Sequence, residues 1–164
     1  MTDHVDHVLA QWRDQRPDLD VSPMAVLGRL SRLTQLTGAE LRKTFTAHGL
    51  DAASFDVLAT LRRSAPPHSL TPTELMHSAM VTSGAITQRL DRLEERGLVR
   101  RSRSESDGRG IIVTLTDAGR ALIDDALPDH VATEARLLRP LTGKQRAQLA
   151  NTLRTLLESL GDAT

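Results

Sequence analysis

The stretch that most constrains the fold is residues 71–116, TPTELMHSAMVTSGAITQRLDRLEERGLVRRSRSESDGRGIIVTLT. It reads as helix, tight turn, helix, then a two-stranded β-wing. Thr71 with Glu74 three residues on, and Pro72 between them, forms a capping box with proline at the first helical position. Leu75, Ala79 and, as a further candidate, Met76 face inward, and Ala79-Met80-Val81 make the turn. Thr82 or Ser83 caps the next helix, which runs to about Arg96 with Ile86, Leu90 and Leu93 on its apolar side. Gly97 stops it. Leu98-Val99 and residues 111–115 are β-rich, and SRSESDGRG between them is expected as a hairpin loop.

The flanks are helical. Val5, Val8, Leu9 and Trp12 form one face of a short leading helix, which RPDLDVSP at 16–23 breaks. Ser22 is the expected cap of a long helix from about 24 to 47, closed by His48-Gly49. A third helix spans about 52–64, and APPHS (65–69) is expected as a loop. Thr116 caps a helix over about 117–139, which Pro128 is expected to kink or interrupt. Thr142 with Gln145 starts the last helix, whose Leu149, Leu153, Leu156 and Leu160 make an a/d seam. The reading is one mainly α domain over 1–164: an extension (1–22), helices (24–64), a winged helix-turn-helix (71–116) and C-terminal helices (117–160). The terminal helices carry more apolar surface than a three-helix head needs. That surface packs within the chain or, as the preferred reading, builds a homodimer that holds two heads about one DNA turn (~34 Å) apart.

Composition narrows the function. With no cysteine, disulfides and thiolate metal sites are excluded, which is compatible with the cytoplasm. No apolar run is long enough for a membrane span, and the first residues lack a signal peptide's h-region. His4 and His7 are i, i+3 neighbours near a terminus. No phosphate loop, nucleophile elbow or HExxH motif accompanies them, so neither an enzyme nor a cofactor is expected.

The candidate partner is double-stranded DNA. On the second helix of the motif, Thr82, Ser83 and Gly84 at the N-terminal end are small enough for close entry to a major groove. Ser83, Gly84, Thr87, Gln88 and Asp91 take the outer side, with Arg89 and Arg92 at its flanks; Gln suits adenine and Arg suits guanine. The alternative is a solvated polar face. Arg100, Arg101, Arg103 and Arg109 stand on a hairpin with little to pack against, and Arg109 at its tip suits a narrow minor groove. Asp107 is read as orienting Arg109 or an arginine of the recognition helix. A solvated charged loop is the alternative for the wing. Charge alone gives no vote: Lys+Arg and Asp+Glu are both 21, and over 71–117 seven arginines face seven acids. Specificity must then rest on placement and base contacts.

DRLEERGLVRR (91–101), D-x-R at 107–109 and IIVTLTDAGR (111–120) together resemble the MarR family of bacterial transcription regulators. The resemblance covers about residues 24–160. It implies a dimeric winged helix-turn-helix protein on palindromic operators, usually a repressor released by a small aromatic or anionic effector. Here the wing arginine is flanked by Gly108 and Gly110, a looser tip than the family usually shows. The leading helix with Trp12, followed by RPDLD, is similar to the urate-responsive branch. That likeness implies Trp12, Asp56, Arg63 and either Arg89 or Arg101 as ligand contacts. A simple anchoring role for Trp12, and a surface pair for Asp56 and Arg63, stand beside it.

Overall fold

The computed structural model describes residues 2–79, 86–103 and 110–162. Contacts divide the chain into two units, Met1–Lys43 and Thr44–Thr164.

The first unit holds α1 (His4–Gln15) and most of α2 (Ser22–Ala47). Asp3 caps α1 in a reciprocal box with Asp6. Arg29 of α2 then donates to both carboxylates, at 2.8 Å to Asp3 and 2.6 Å to Asp6. One guanidinium thereby ties the helix start to the neighbouring helix. Val5, Leu9 and Val21 are buried together with Ala25 packed against them. Gly28 permits the approach, because a Cβ there would stand 3.2 Å from a Val5 methyl. Two members of the expected apolar face behave differently: Val8 is half-buried and Trp12 is 43% exposed. The expected Ser22 cap is corrected. Ser22 is itself helical, and the Asp20 carboxylate accepts its backbone N–H and hydroxyl.

The second unit begins with the end of α2. Gly49 takes φ +66°, the left-handed stop that His48-Gly49 announced. Asp51 caps α3 (Ala52–Arg63) by accepting the Ser54 N–H at 2.6 Å. Then follow β1 (Ser69–Leu70), α4 (Pro72–Ser78), α5 (Ile86–Glu95), β2 (Val99–Arg103), β3 (Ile111–Leu115), α6 (Asp117–Leu137) and α7 (Gly143–Ser159). The three strands form an antiparallel sheet in the order β1-β3-β2. Two loop expectations are corrected here. Ser69 is paired with Thr114 rather than looped, and Ser102 and Arg103 extend β2 opposite Ile112 and Ile111. Leu98, expected in the strand, precedes it.

Leu58 and Leu61 of α3, Leu75 of α4, Leu90 and Leu93 of α5, Val99, Val113 and Ile123 form the fully buried centre. Phe45 and Phe55 stack at 4.5 Å, and the His130 ring lies 4.7 Å from Phe55. Polar ties hold the same region: Arg62 to Asp124 at 2.7 Å, Thr44 to Thr133 at 2.8 Å, and His48 to Asp129 at 2.9 Å. α6 is continuous through Pro128, against the expected interruption. A proline removes one N–H from the ladder, and at this exposed position water can satisfy the carbonyl left free.

The start of α6 is fixed against the base of the wing. The Thr116 hydroxyl, which caps α6, also donates to the Gly97 and Leu98 carbonyls. A Cβ on Gly119 would lie 2.0 Å from the Leu98 carbonyl oxygen, so no larger residue fits without moving the backbone.

Candidate nucleic-acid interface

The helix pair of the motif is set by the box that the sequence announced. Thr71 Oγ1 accepts the Glu74 N–H, and Glu74 accepts the Thr71 N–H at 2.7 Å. Burying Leu75 on α4 and Leu90 and Leu93 on α5 fixes which side of each helix faces the core. The opposite side of α5 carries Thr87, Gln88 and Arg92, all exposed, while Arg89 is half-buried. Thr87, Gln88 and Arg92 thus share the solvent side of one helix, as the period of 3.6 requires, whereas Asp91, expected on the outer side, is half-buried and paired with Arg101. Thr82, Ser83 and Gly84, expected at the helix start, and Asp107 and Arg109, expected at the wing tip, lie outside the described residues.

α5 is held from two directions. Arg96, in the turn after the helix, donates to the Gly49 carbonyl at 3.0 Å, against the α2–α3 turn. On the wing side, the Arg101 guanidinium reaches Asp91 at 2.6 Å and Glu94 at 2.7 Å, and the Arg101 backbone N–H donates to Glu94 at 2.7 Å. The Arg101 N–H and then its guanidinium hold the Glu94 carboxyl below the usual glutamate value. Glu94 and then Asp91 push the Arg101 guanidinium up, so it stays charged. Nearby, burial pushes the Asp51 carboxyl up, but hydrogen bonds from Ser54 and the charge of Arg89 outweigh it and the net shift is downward. Arg103 is exposed at the far end of β2, directly paired with the exposed Ile111 of β3.

The four ligand candidates fall in different settings. Trp12 belongs to the first unit. In the second, Asp56 is half-buried on α3, and Arg63 at the end of α3 donates to the Ser78 carbonyl at the end of α4. Arg101 is engaged by Asp91 and Glu94 as described. Sequence reading did not find this pairing. Its signal, an acid at 91 and another at 94 before a Gly97 stop and an arginine on the first strand, is visible only once the turn is known to fold the strand back along the helix. Among the described residues, no group of side chains could hold a metal ion, and no helix is long and apolar enough to cross a membrane.

This arrangement has counterparts. The profile of the MarR family matches residues 48–110. The HTH-type transcriptional regulator PecS of Dickeya dadantii is 41% identical over 145 residues, covering 88% of this chain and 87% of PecS. The chain belongs to the MarR family. As a member it is a winged helix-turn-helix transcriptional regulator and not an enzyme. Among solved MarR-family structures, Sco3205 of Streptomyces coelicolor, in complex with DNA, superposes with a TM-score of 0.78 at 28% identity, covering 87% of this chain and 89% of that one. BpsR of Bordetella bronchiseptica, whose DNA binding is regulated by 6-hydroxynicotinic acid, superposes with a TM-score of 0.71 at 26% identity, covering 80% and 98%.

Proposed function

We propose that this MarR-family chain is a homodimeric repressor that reads a palindromic operator and is released by a small anionic or aromatic ligand, urate or another purine among the candidates. The observation that carries the reading is the two-sidedness of α5. Its leucines are buried in the head, and Thr87, Gln88 and Arg92 are left exposed on the other side, facing no hydrogen-bond or ion-pair partner among the described residues. In this reading α5 enters the major groove, with Thr82, Ser83 and Gly84 at its leading end and Arg89 and Arg92 as flanking cations. Arg103 and Arg109 carry the wing to the backbone and minor groove, and Asp107 orients an arginine there.

Dimerisation is supported by apolar surface that a lone chain leaves in water. No residue of α7 is buried, and Leu149, Leu156 and Leu157 are exposed on it and Leu160 just after it, as are Leu27, Leu33 and Leu36 on α2. A second copy covering these side chains would give two reading heads related by a two-fold axis.

The effector contacts proposed are, in the first unit, Trp12, an exposed indole suited to stacking on a flat ligand, and, in the second, Asp56 together with Arg63 and either Arg89 or Arg101, whose guanidinium groups suit an anion. The effector must bind the DNA-incompetent spacing of the two heads more tightly than the competent one, since equal affinity shifts nothing. The zero net charge favours a second reading, a winged-helix protein-interaction module without ligand response.

A gel shift with full-length protein and a duplex from its own upstream region, repeated with purines, urate and phenols, tests both. The proposal expects binding at low salt and release by a purine, blunted in Trp12→Phe. Release by unrelated phenols alone would reject the purine assignment, and no shift at low salt would favour the interaction module.

A further inference from the structure

Arg101 makes contacts that are unusual for a residue of a DNA-facing wing. Its guanidinium and its backbone N–H are all directed at the recognition helix: 2.6 Å to Asp91, and 2.7 Å to Glu94 through both the side chain and the main chain. Asp91 and Glu94 are one turn apart on α5, so a single planar fork spans two carboxylates that would otherwise repel each other. Arg101 also sits mid-strand in β2, with Val113 of β3 as its cross-strand partner. A shift of the helix would therefore be transmitted to the hairpin that carries the wing tip. The other arginines of β2, Arg100 and Arg103, are exposed.

We propose that Arg101 is a positioning residue for DNA reading: it joins α5 and the wing into one rigid body, fixing the angle between the major-groove helix and the wing, and does not itself touch phosphate. This rests on the DNA-reading role proposed above. It also explains why two acids are tolerated on a helix that approaches DNA. Each is drawn to Arg101, towards the wing strand.

The test compares Arg101→Ala, Arg101→Lys and the swap Glu94→Arg/Arg101→Glu in the full chain. Affinity for a duplex from the upstream region is measured across a salt series, and backbone amide exchange is followed in the free protein. A lysine keeps the charge but is a point donor that cannot fork across two carboxylates. A positioning role predicts that both single variants lose about ten-fold or more in affinity, with the slope of affinity against salt unchanged. It also predicts faster exchange of the Arg101 amide, and recovery of part of the affinity in the swap. A phosphate contact predicts the reverse: Arg101→Lys binds like the parent, and Arg101→Ala lowers the salt slope by ~0.9. That result overturns the proposal. So does unchanged affinity in all variants while the parent binds. If the parent binds no duplex at low salt, the DNA-reading role itself fails and this inference falls with it. Should Arg101→Ala fail to fold, Arg101→Lys carries the same comparison.

Discussion

Glu94 of the recognition helix grips Arg101 of the wing twice, accepting its backbone N–H and its guanidinium, each at 2.7 Å. Helix and wing are therefore coupled through this carboxylate beside that of Asp91, and the Glu94 coupling has a pH signature. The Arg101 N–H, and then the guanidinium, lower the Glu94 pKa on folding. A lowered pKa means the interaction is complete above the ordinary glutamate value of ~4.3 and drains away as the pH falls through the lower folded value. The tie should be constant between about pH 6 and 8 and weaken only in acid. Carboxyl-detected NMR should show the Glu94 titration midpoint rising in Arg101→Ala; an unmoved midpoint would deny the coupling.

Gly119→Ala should be strongly destabilising for an alanine placed in a helix. The added methyl meets the Leu98 carbonyl oxygen at 2.0 Å, and a backbone atom held by Thr116 has little room to give. Overpacking of this kind costs about 1–3 kcal/mol, which corresponds to roughly 2–4 °C in Tm per kcal/mol for a chain of this size. Thermal unfolding followed by circular dichroism measures it.

Gln88→Ala and Arg109→Ala should separate the two modes of DNA contact. Removing the α5 amide should cost about 1–3 kcal/mol at one base-pair position and relax selectivity there. Removing the wing arginine should weaken binding most on A·T-rich flanks and leave the central selectivity intact. Binding to a panel of single-base operator variants distinguishes the two patterns.

Leu156→Glu should shift the protein towards monomer. Leu156 is 40% exposed on a helix with no buried residue of its own, so the substitution spares the chain's own core. In an interface it would bury an unpaired carboxylate. Sedimentation velocity should show a concentration-dependent loss of dimer, with the circular dichroism spectrum kept.

How much of this was legible in the sequence depends on the range of the interaction. Local devices were legible: the Thr71–Glu74 and Thr142–Gln145 boxes, the Thr116 cap, and the glycine stops at 49 and 97 all involve residues a few positions apart. β1 was not, because two residues carry no period, and Ser69-Leu70 becomes a strand only through its partners Thr114 and Val113. The split of the α1 face, with Leu9 buried and Trp12 exposed, was not legible either, since periodicity marks a face but not where its contacts end. On α5, the exposure of Thr87 and Gln88 followed from the leucine spacing, but the half-burial of Asp91 against Arg101 did not. The engagement of Arg101 by α5 did not, because it needs the turn, the register of β2 and the orientation of the helix together.

In the proposed dimer, two copies of this head read one operator from adjacent turns of the same DNA face. Footprinting of the full-length protein on its own upstream region at low salt tests it most directly. A dimeric reader gives two protected half-sites related by dyad symmetry, with centres about 10 bp apart or a multiple of that, and loses the flanking minor-groove protection in Arg109→Ala. A single unsymmetrical footprint, or no protection at any salt concentration, would contradict it.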